Sequence, residues 1–336
     1  MNLEDKIDIV KNILKDKKVA IGFSGGADST LIAYLSSMVA KDTLAITIDN
    51  HLMPTNFIEH AKKACDLFQI NHIIIDIDFY KDADFLLNGH ERCFTCRELM
   101  YSKIESVAQK NNFDFICDGN NISDLIFDRP GILITYEKEF ETPLIEARLT
   151  SKEIHDYLDK NKIPYSKSTT CLATRIPTNT PITHNKIERI SHCEDYILEN
   201  TNCKIVKVRD FEKFSICEVD DINEIITGNK FKQINNELKS KGYGKVALNL
   251  SQIDDNEEIN LDYREGSFSH QLPFTINLKN TKKQLPDEII FENDKKIELE
   301  KISISESGLI CGKNFENKKK ALDSFMNLLP KLRRNI

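Results

Sequence analysis

The chain has no surplus of positive charge: 46 Lys and Arg stand against 53 Asp and Glu, a net charge of −7. That excludes a global attraction for nucleic acid or an anionic membrane surface, although a local basic patch stays open. No apolar run approaches the length of a membrane span, so no membrane partner is expected. Glu4, Asp5, Lys6, Asp8, Lys11 and Lys15 break any signal-peptide pattern at the start. A cytoplasmic location is therefore expected. Nine cysteines in a reducing compartment then read as thiols or metal ligands rather than disulfides. No internal repeat is visible. What the chain does have is length: 336 residues are enough for two domains, or one large one, with a real core.

Residues 24–29 read Ser24-Gly25-Gly26-Ala27-Asp28-Ser29, between one apolar run (Val19, Ala20, Ile21, Phe23) and another (Leu31, Ile32, Leu35). This is a strand, a glycine turn and a helix start. Two glycines let backbone N–H groups close on an anion. The helix N-terminus adds partial positive charge, and Ser24, Ser29 and Thr30 add donors. No lysine follows the glycines, so this is not a Walker A loop. SGGxDS is the pyrophosphate loop of ATP pyrophosphatases, which split ATP into AMP and pyrophosphate to activate a substrate as its adenylate. The bland alternative is an ordinary glycine turn.

Leu3, Ile7, Val10 and Leu14 predict an N-terminal helix. Strands are then expected at 18–23, 44–48, 72–77 and 114–118, and helices at 28–39, 56–68 and 96–110. That alternation predicts an α/β fold with a doubly wound parallel sheet, whose ligands sit beyond the carboxyl ends of the strands. Thr150-Ser151-Lys152-Glu153 is a capping box for a helix over 151–160. Residues 161–183 read as a long polar loop. A helix (184–199), two strands (203–209, 214–219), a helix (about 229–241) and a strand (245–250) suggest a smaller α+β domain. Residues 251–260 read as an acidic insertion, and a last helix is expected near 317–328. Its basic end (Lys318, Lys319, Lys320, Lys331, Arg333, Arg334) reads as a solvated face before an anion site. The expected division is 1–165 for the pyrophosphatase domain, 166–275 for the α+β domain, and 276–336 for an extension of unassigned role.

Asp28 lies one turn into the phosphate helix, where a carboxylate is tolerated if it holds Mg²⁺ or orders the loop. Asp49 follows the second strand; Asp118, Gly119 and Asp124 follow the fourth. Each aspartate alone reads equally well as a cap. Their repetition at successive strand ends marks Ser24, Gly25, Gly26, Asp28, Ser29, Asp49, Asp118, Gly119 and Asp124 as the candidate site for ATP and Mg²⁺. Cys93-Phe94-Thr95-Cys96 is a C-x-x-C before a helix. Alone it leaves zinc, a redox pair and chance open, and no second C-x-x-C exists. Cys171 sits in the polar loop with Arg175 four residues on, a cation that favours the thiolate. Cys65, Cys117, Cys193, Cys203, Cys217 and Cys311 read as small core hydrophobes.

SGGADST, ERCFTCRE (91–98), DGNNISDLIFDRPG (118–131), TPLIEARLTSKEI (142–154) and above all CLATRIP (171–177) resemble the LarE-type sulfur transferases. Val208-Arg209, Ile216 to Val219 and Leu261 to Ser267 resemble that family's later part. The resemblance covers roughly residues 1–270. It implies an ATP-dependent enzyme that converts a carboxylate of pyridinium-3,5-biscarboxylic acid mononucleotide to a thiocarboxylate, in making the nickel-pincer nucleotide. It further implies that Cys93, Cys96 and Cys171 ligate a [4Fe–4S] cluster whose fourth iron stays open for sulfide from a sulfur donor. In other members a single cysteine, at the place of Cys171, gives up its own sulfur. Arg175 and Arg209 are then expected at the mononucleotide's phosphate or carboxylates, and Glu218 beside Cys171 at the sulfur site. A homo-oligomer is expected; nucleic acid is not expected as a partner. The rival readings are a tRNA 2-thiolation enzyme with a similar loop and three cysteines, an amidotransferase-coupled synthetase, and a nucleotide-sensing module. Residues beyond 280 are expected to be accessory to the active site.

Overall fold

The computed structural model describes residues 1–127, 129, 131–167, 170–253, 259–285 and 288–335. Asp128 and Pro130 of the DRPG segment, and residues 254–258 of the acidic insertion, lie outside the described residues.

Four parallel strands form the first sheet: β1 (Lys18–Gly22), β2 (Asp42–Asp49), β3 (Asn71–Asp76) and β4 (Phe115–Cys117), in the order β3-β2-β1-β4. The apolar runs of β1 and β2 are buried on both faces, as a parallel sheet requires, whereas β3 at the edge is half-buried. Val19 and Ile21 pack with α1 (Leu3–Leu14), α2 (Ala27–Val39), α3 (Phe57–Phe68) and helix Ser151–Lys160. Ala20 turns to the opposite layer, where Tyr101, Ile104 and Ala108 cover it. Those three belong to α5 (Arg92–Lys110), which follows the short α4 (Ala83–Leu86). The doubly wound expectation is met. Thr150 caps helix Ser151–Lys160 through the capping box read in the sequence.

A second sheet joins β5 (Val206–Phe211), β6 (Phe214–Val219) and β7 (Lys245–Leu248), with helices His184–Asn200 and Lys230–Ser240 packed on it. The third sheet has six strands, in the order β10-β11-β12-β13-β9-β8. They are β8 (Asp262–Arg264), β9 (Ser267–Gln271), β10 (Phe291–Glu292), β11 (Lys296–Glu298), β12 (Ile302–Ser305) and β13 (Leu309–Gly312).

This third sheet corrects the division expected at 275. β9 pairs with β13, Phe268 opposite Gly312 and Gln271 opposite Leu309, so the boundary would cut one sheet in two. The tail, expected to be accessory to the active site, is also built into the core of the molecule. Phe268, Ile304, Ile310, Phe325 and Leu329 share one buried cluster with Ile122, Leu125, Ile132 and Ile145 of the first domain. The Arg333 guanidinium lies 4.2 Å over the Tyr136 ring at that contact. Among the described residues, no helix is long and apolar enough to cross a membrane.

Candidate active site

The glycine loop ends where α2 begins at Ala27, with Gly26 extended and no side chain capping the helix. First-turn N–H groups, which have no acceptor within their own helix, are thus left for an anion. Gly25 takes φ +71°, a conformation other residues resist. The hydroxyls shape the loop: Ser24 N–H donates to Ser29 Oγ (3.2 Å) and Gly26 N–H to Ser24 Oγ (3.3 Å). Ser166 N–H donates to Gly25 O (2.8 Å), tying the start of the polar loop to it. Gly119 lies against the same turn. A Cβ there would sit 2.9 Å from Ser29 N, so only hydrogen fits.

The predicted aspartates divide into different roles. Asp28 and Asp124 line a common cleft, with Asn121 Nδ2 donating to Asp28 (3.0 Å) and Arg129 paired with Asp124. Burial, and then the Asp124 charge, push the Asp28 carboxyl up to about 7. Two carboxylates that repel each other beside a phosphate loop fit a hard dication, and they would hold Mg²⁺. Asp118 is corrected as a cofactor ligand. It is 2 % exposed, and its oxygens accept from Tyr101 Oη (2.7 Å), Thr135 Oγ1 (2.8 Å), Arg97 Nη2 (3.2 Å) and Asn120 N (3.0 Å). It shapes the wall instead. Asp49 is corrected too: it sits outside the cleft, which Asn50 lines in its place. With His51 and Asp76 it forms an exposed trio, the one group of three metal-capable side chains within 4.8 Å of one another among the described residues.

The Asp28 shift carries a sign. In the metal-free chain the folded state keeps this proton up to about pH 7, whereas an ordinary carboxyl loses it near 3.8. The raised pKa therefore stabilises at low pH, and that contribution is lost as pH rises from 3.8 toward 7. Asp28→Asn is expected to raise stability at pH 8 by on the order of 1–2 kcal/mol, with no gain at pH 4. Urea unfolding at the two pH values without Mg²⁺ or nucleotide checks this; equal stability at pH 8 rejects it.

α5 brings Cys93, Cys96, Arg97, Met100, Tyr101 and Ile104 to the cleft at helical spacing. Cys171 faces the same space from the turn before Leu172–Arg175. Burial, then the neighbouring Cys171 and Cys93, push the Cys96 thiol up to about 12. Burial likewise raises Cys171, opposed by an Ala173 backbone hydrogen bond and by Arg92. Arg92 spans the two segments, with Nη2 donating to Cys93 Sγ (3.1 Å) and Nη1 to Ala173 O (3.1 Å). Asn88 Nδ2 holds the loop beyond through Pro177 O and Thr180 O (both 2.9 Å). Arg92 and Asn88 escaped the sequence reading, although Arg92 abuts the motif.

All nine cysteines are free thiols. Cys93, Cys96 and Cys171 do not fall within the 4.8 Å mutual spacing that one metal ion asks of its ligands. Three thiols on one cleft are, in kind and number, the donors that a cluster would take on separate irons.

The two arginines and Glu218 stand elsewhere than expected. Arg175 is 1 % exposed. Its Nε and Nη2 donate to Glu194 (2.8 and 3.2 Å), and Nη1 to Thr170 and Thr174 Oγ1 (2.8 and 2.9 Å). Glu194 also accepts from Val208 N–H (2.8 Å), so this pair fastens the Cys171 turn to the second domain. Arg175→Met is expected to cost about 3–5 kcal/mol by stranding a buried Glu194, and Glu194→Gln in the same chain to restore part of it. Urea unfolding checks both; a loss below about 1 kcal/mol, the scale of exposed pairs, would reject the buried role.

Arg209 pairs with Glu218 (2.9 Å) and props Thr174 O (2.9 Å); neither residue lines the cleft. Lys207, on the same strand face as Arg209, lines it with Lys204 and Lys167. These lysines are the cations that sequence reading missed.

The cleft encloses about 1140 Å³, above the usual range for one small ligand, which leaves room for a nucleotide and a second substrate. The family model for the PP-loop domain matches residues 1–127. An uncharacterized protein of Methanocaldococcus jannaschii is 30% identical over 246 residues, covering 72% of this chain and 92% of that protein. The pyridinium-3,5-bisthiocarboxylic acid mononucleotide synthase of Lactiplantibacillus plantarum is 24% identical over 70% of this chain and 87% of its own. A tRNA-specific 2-thiouridylase of Fusobacterium nucleatum is 32% identical, but over 32% of this chain and 34% of its own. An uncapped glycine loop at the head of α2, and a match running almost the full length of an archaeal relative, make this chain a member of the PP-loop family of ATP-using enzymes.

Proposed function

We propose that the protein is a sulfur transferase that adenylates a carboxylate of a pyridinium mononucleotide and replaces its oxygen by sulfur. The observation that carries this reading is the sharing of one cleft by the phosphate loop and three thiols. The synthase from L. plantarum, matched over 70% of this chain, supports the acceptor class.

The chemistry follows from the groups present. The acceptor carboxylate attacks the α-phosphate of ATP, and pyrophosphate leaves into the N–H groups at the head of α2. Asp28 and Asp124 would hold the Mg²⁺ that neutralises it. Hydrosulfide then attacks the acyl carbon, AMP departs, and a proton is released with the thiocarboxylate. Lys204, Lys207 and Lys167 supply positive charge where the mononucleotide's phosphate would sit. Cys93, Cys96 and Cys171 would hold a [4Fe–4S] cluster, which supplies reduced sulfur when bound.

Anaerobic incubation with ATP and pyridinium-3,5-biscarboxylic acid mononucleotide tests the proposal. Pyrophosphate release and a sulfur-for-oxygen mass gain in the product are expected. Release with tRNA alone would favour the thiouridylase reading, whose match covers 32% of this chain. No release with either would leave a nucleotide-binding module.

A further inference from the structure

Arg97 has no part in the steps above, yet it stands in the middle of the cleft. It follows Cys96 directly and lies one helical turn beyond Cys93, while its guanidinium reaches the Asp118–Asn120 wall that backs the phosphate loop. It is held unusually firmly. Nη2 alone lies within hydrogen-bonding distance of Tyr101, Asp118, Asn120 and Thr135, more acceptors than its two hydrogens can serve. Nε is buried without a hydrogen-bond partner. The hydrogen bonds of this guanidinium among the described residues all run through Nη2, and Nη1 is not a buried orphan, so it keeps an opening to the cleft. A charged donor on a cleft wall that no protein acceptor takes up is open to an anionic oxygen of a ligand.

The surroundings are cut to admit this side chain. A Cβ on Gly131 would fall 2.8 Å from Arg97 Cδ and 3.7 Å from Nη1. The glycine of the DRPG segment is thus what gives the arginine its position. Phosphate donors are already supplied by the loop and α2, so a fixed guanidinium between loop and thiols answers a different need.

We propose that Arg97 binds a carboxylate of the acceptor through Nη1, holding the carbon to be activated between the phosphate loop and the three thiols. This rests on the sulfur-transferase reading and names the contact that selects a carboxylate substrate. A rigid guanidinium forms a charge-assisted hydrogen bond with a carboxylate and gains little from an uncharged amide.

The test compares two probes on the full chain. They are a pyridinium mononucleotide with a 3-carboxylate and the same molecule with a 3-carboxamide, titrated in the presence of a non-hydrolysable ATP analogue. The native chain is expected to prefer the acid by about tenfold or more. In Arg97→Met that preference is expected to fall to about one, and in Arg97→Lys to fall partway, with affinity for the ATP analogue unchanged within about twofold. Gly131→Ala keeps every charge and moves the arginine, so it should erode the same preference and serves if Arg97→Met does not fold. An intact preference in folded variants overturns the assignment. So does an equal loss of affinity for the ATP analogue, which would give Arg97 to the nucleotide. If the native chain binds neither probe, the sulfur-transferase reading itself fails.

Discussion

Alanine at Cys171 is expected to stop sulfur transfer, by a factor of about 10³ or more, while pyrophosphate release on adding ATP and acceptor continues. The reason is division of labour within the cleft. The α2 head and Asp28 serve the phosphates, whereas Cys171 lines the same cleft with Cys93 and Cys96. The three thiols also give the outcome a second axis. If they act together on a cluster, Cys93→Ala and Cys96→Ala should lose transfer to a similar extent, and the bound iron should fall with it. If Cys171 donates its own sulfur, those two variants should keep a single turnover, and residue 171 should emerge as dehydroalanine. Mass spectrometry of the protein after anaerobic turnover separates the two. Full transfer by Cys171→Ala would remove the thiols from the mechanism.

A chain ending at residue 275 is expected not to fold as a soluble protein. The cut removes β10 to β13 and helix Lys318–Leu328, leaving β9 without β13 and the β8–β9 pair without the rest of its sheet. Ile297, Ile302, Ile304, Ile310, Phe325 and Leu329, all nearly fully buried, would be lost from a core they share with Ile122 and Leu125. At about 1.5–3 kcal/mol per buried side chain, six such losses match or exceed the typical 5–15 kcal/mol that holds a domain folded. Circular dichroism and size-exclusion chromatography check this. A monodisperse, cooperatively melting chain of 275 residues would show the third sheet to be dispensable.

The sequence was most legible where the governing physics is local. Two glycines and two hydroxyls within six residues specify a turn that needs few distant partners, and it stands where it was read. The apolar runs of β1 and β2 announce themselves because both faces are buried. The capping box at Thr150 and Glu153 placed the start of its helix correctly. Legibility failed wherever a partner is far along the chain. Arg175 was read as a substrate ligand because a guanidinium fork matches a phosphate or carboxylate; Glu194, nineteen residues later, takes that fork instead. Asp118 was read as part of the nucleotide site because Tyr101, Thr135 and Arg97, which saturate it, come from other elements. The six-stranded sheet hid behind strands of two to five residues, too short for a periodic signal, whose pairing reaches from Phe268 to Gly312.

Ser166 is hydrogen-bonded to Gly25 of the phosphate loop, and Cys171 is five residues further along. Five residues of fully extended chain reach at most about 18 Å. That covalent leash caps the separation between the place where an acyl-adenylate would form and a thiol that would end its life. Acyl phosphates of this kind hydrolyse readily once free in water. A chain that keeps both stations on one short tether lets the intermediate be consumed where it is made, without diffusing out between the two half-reactions.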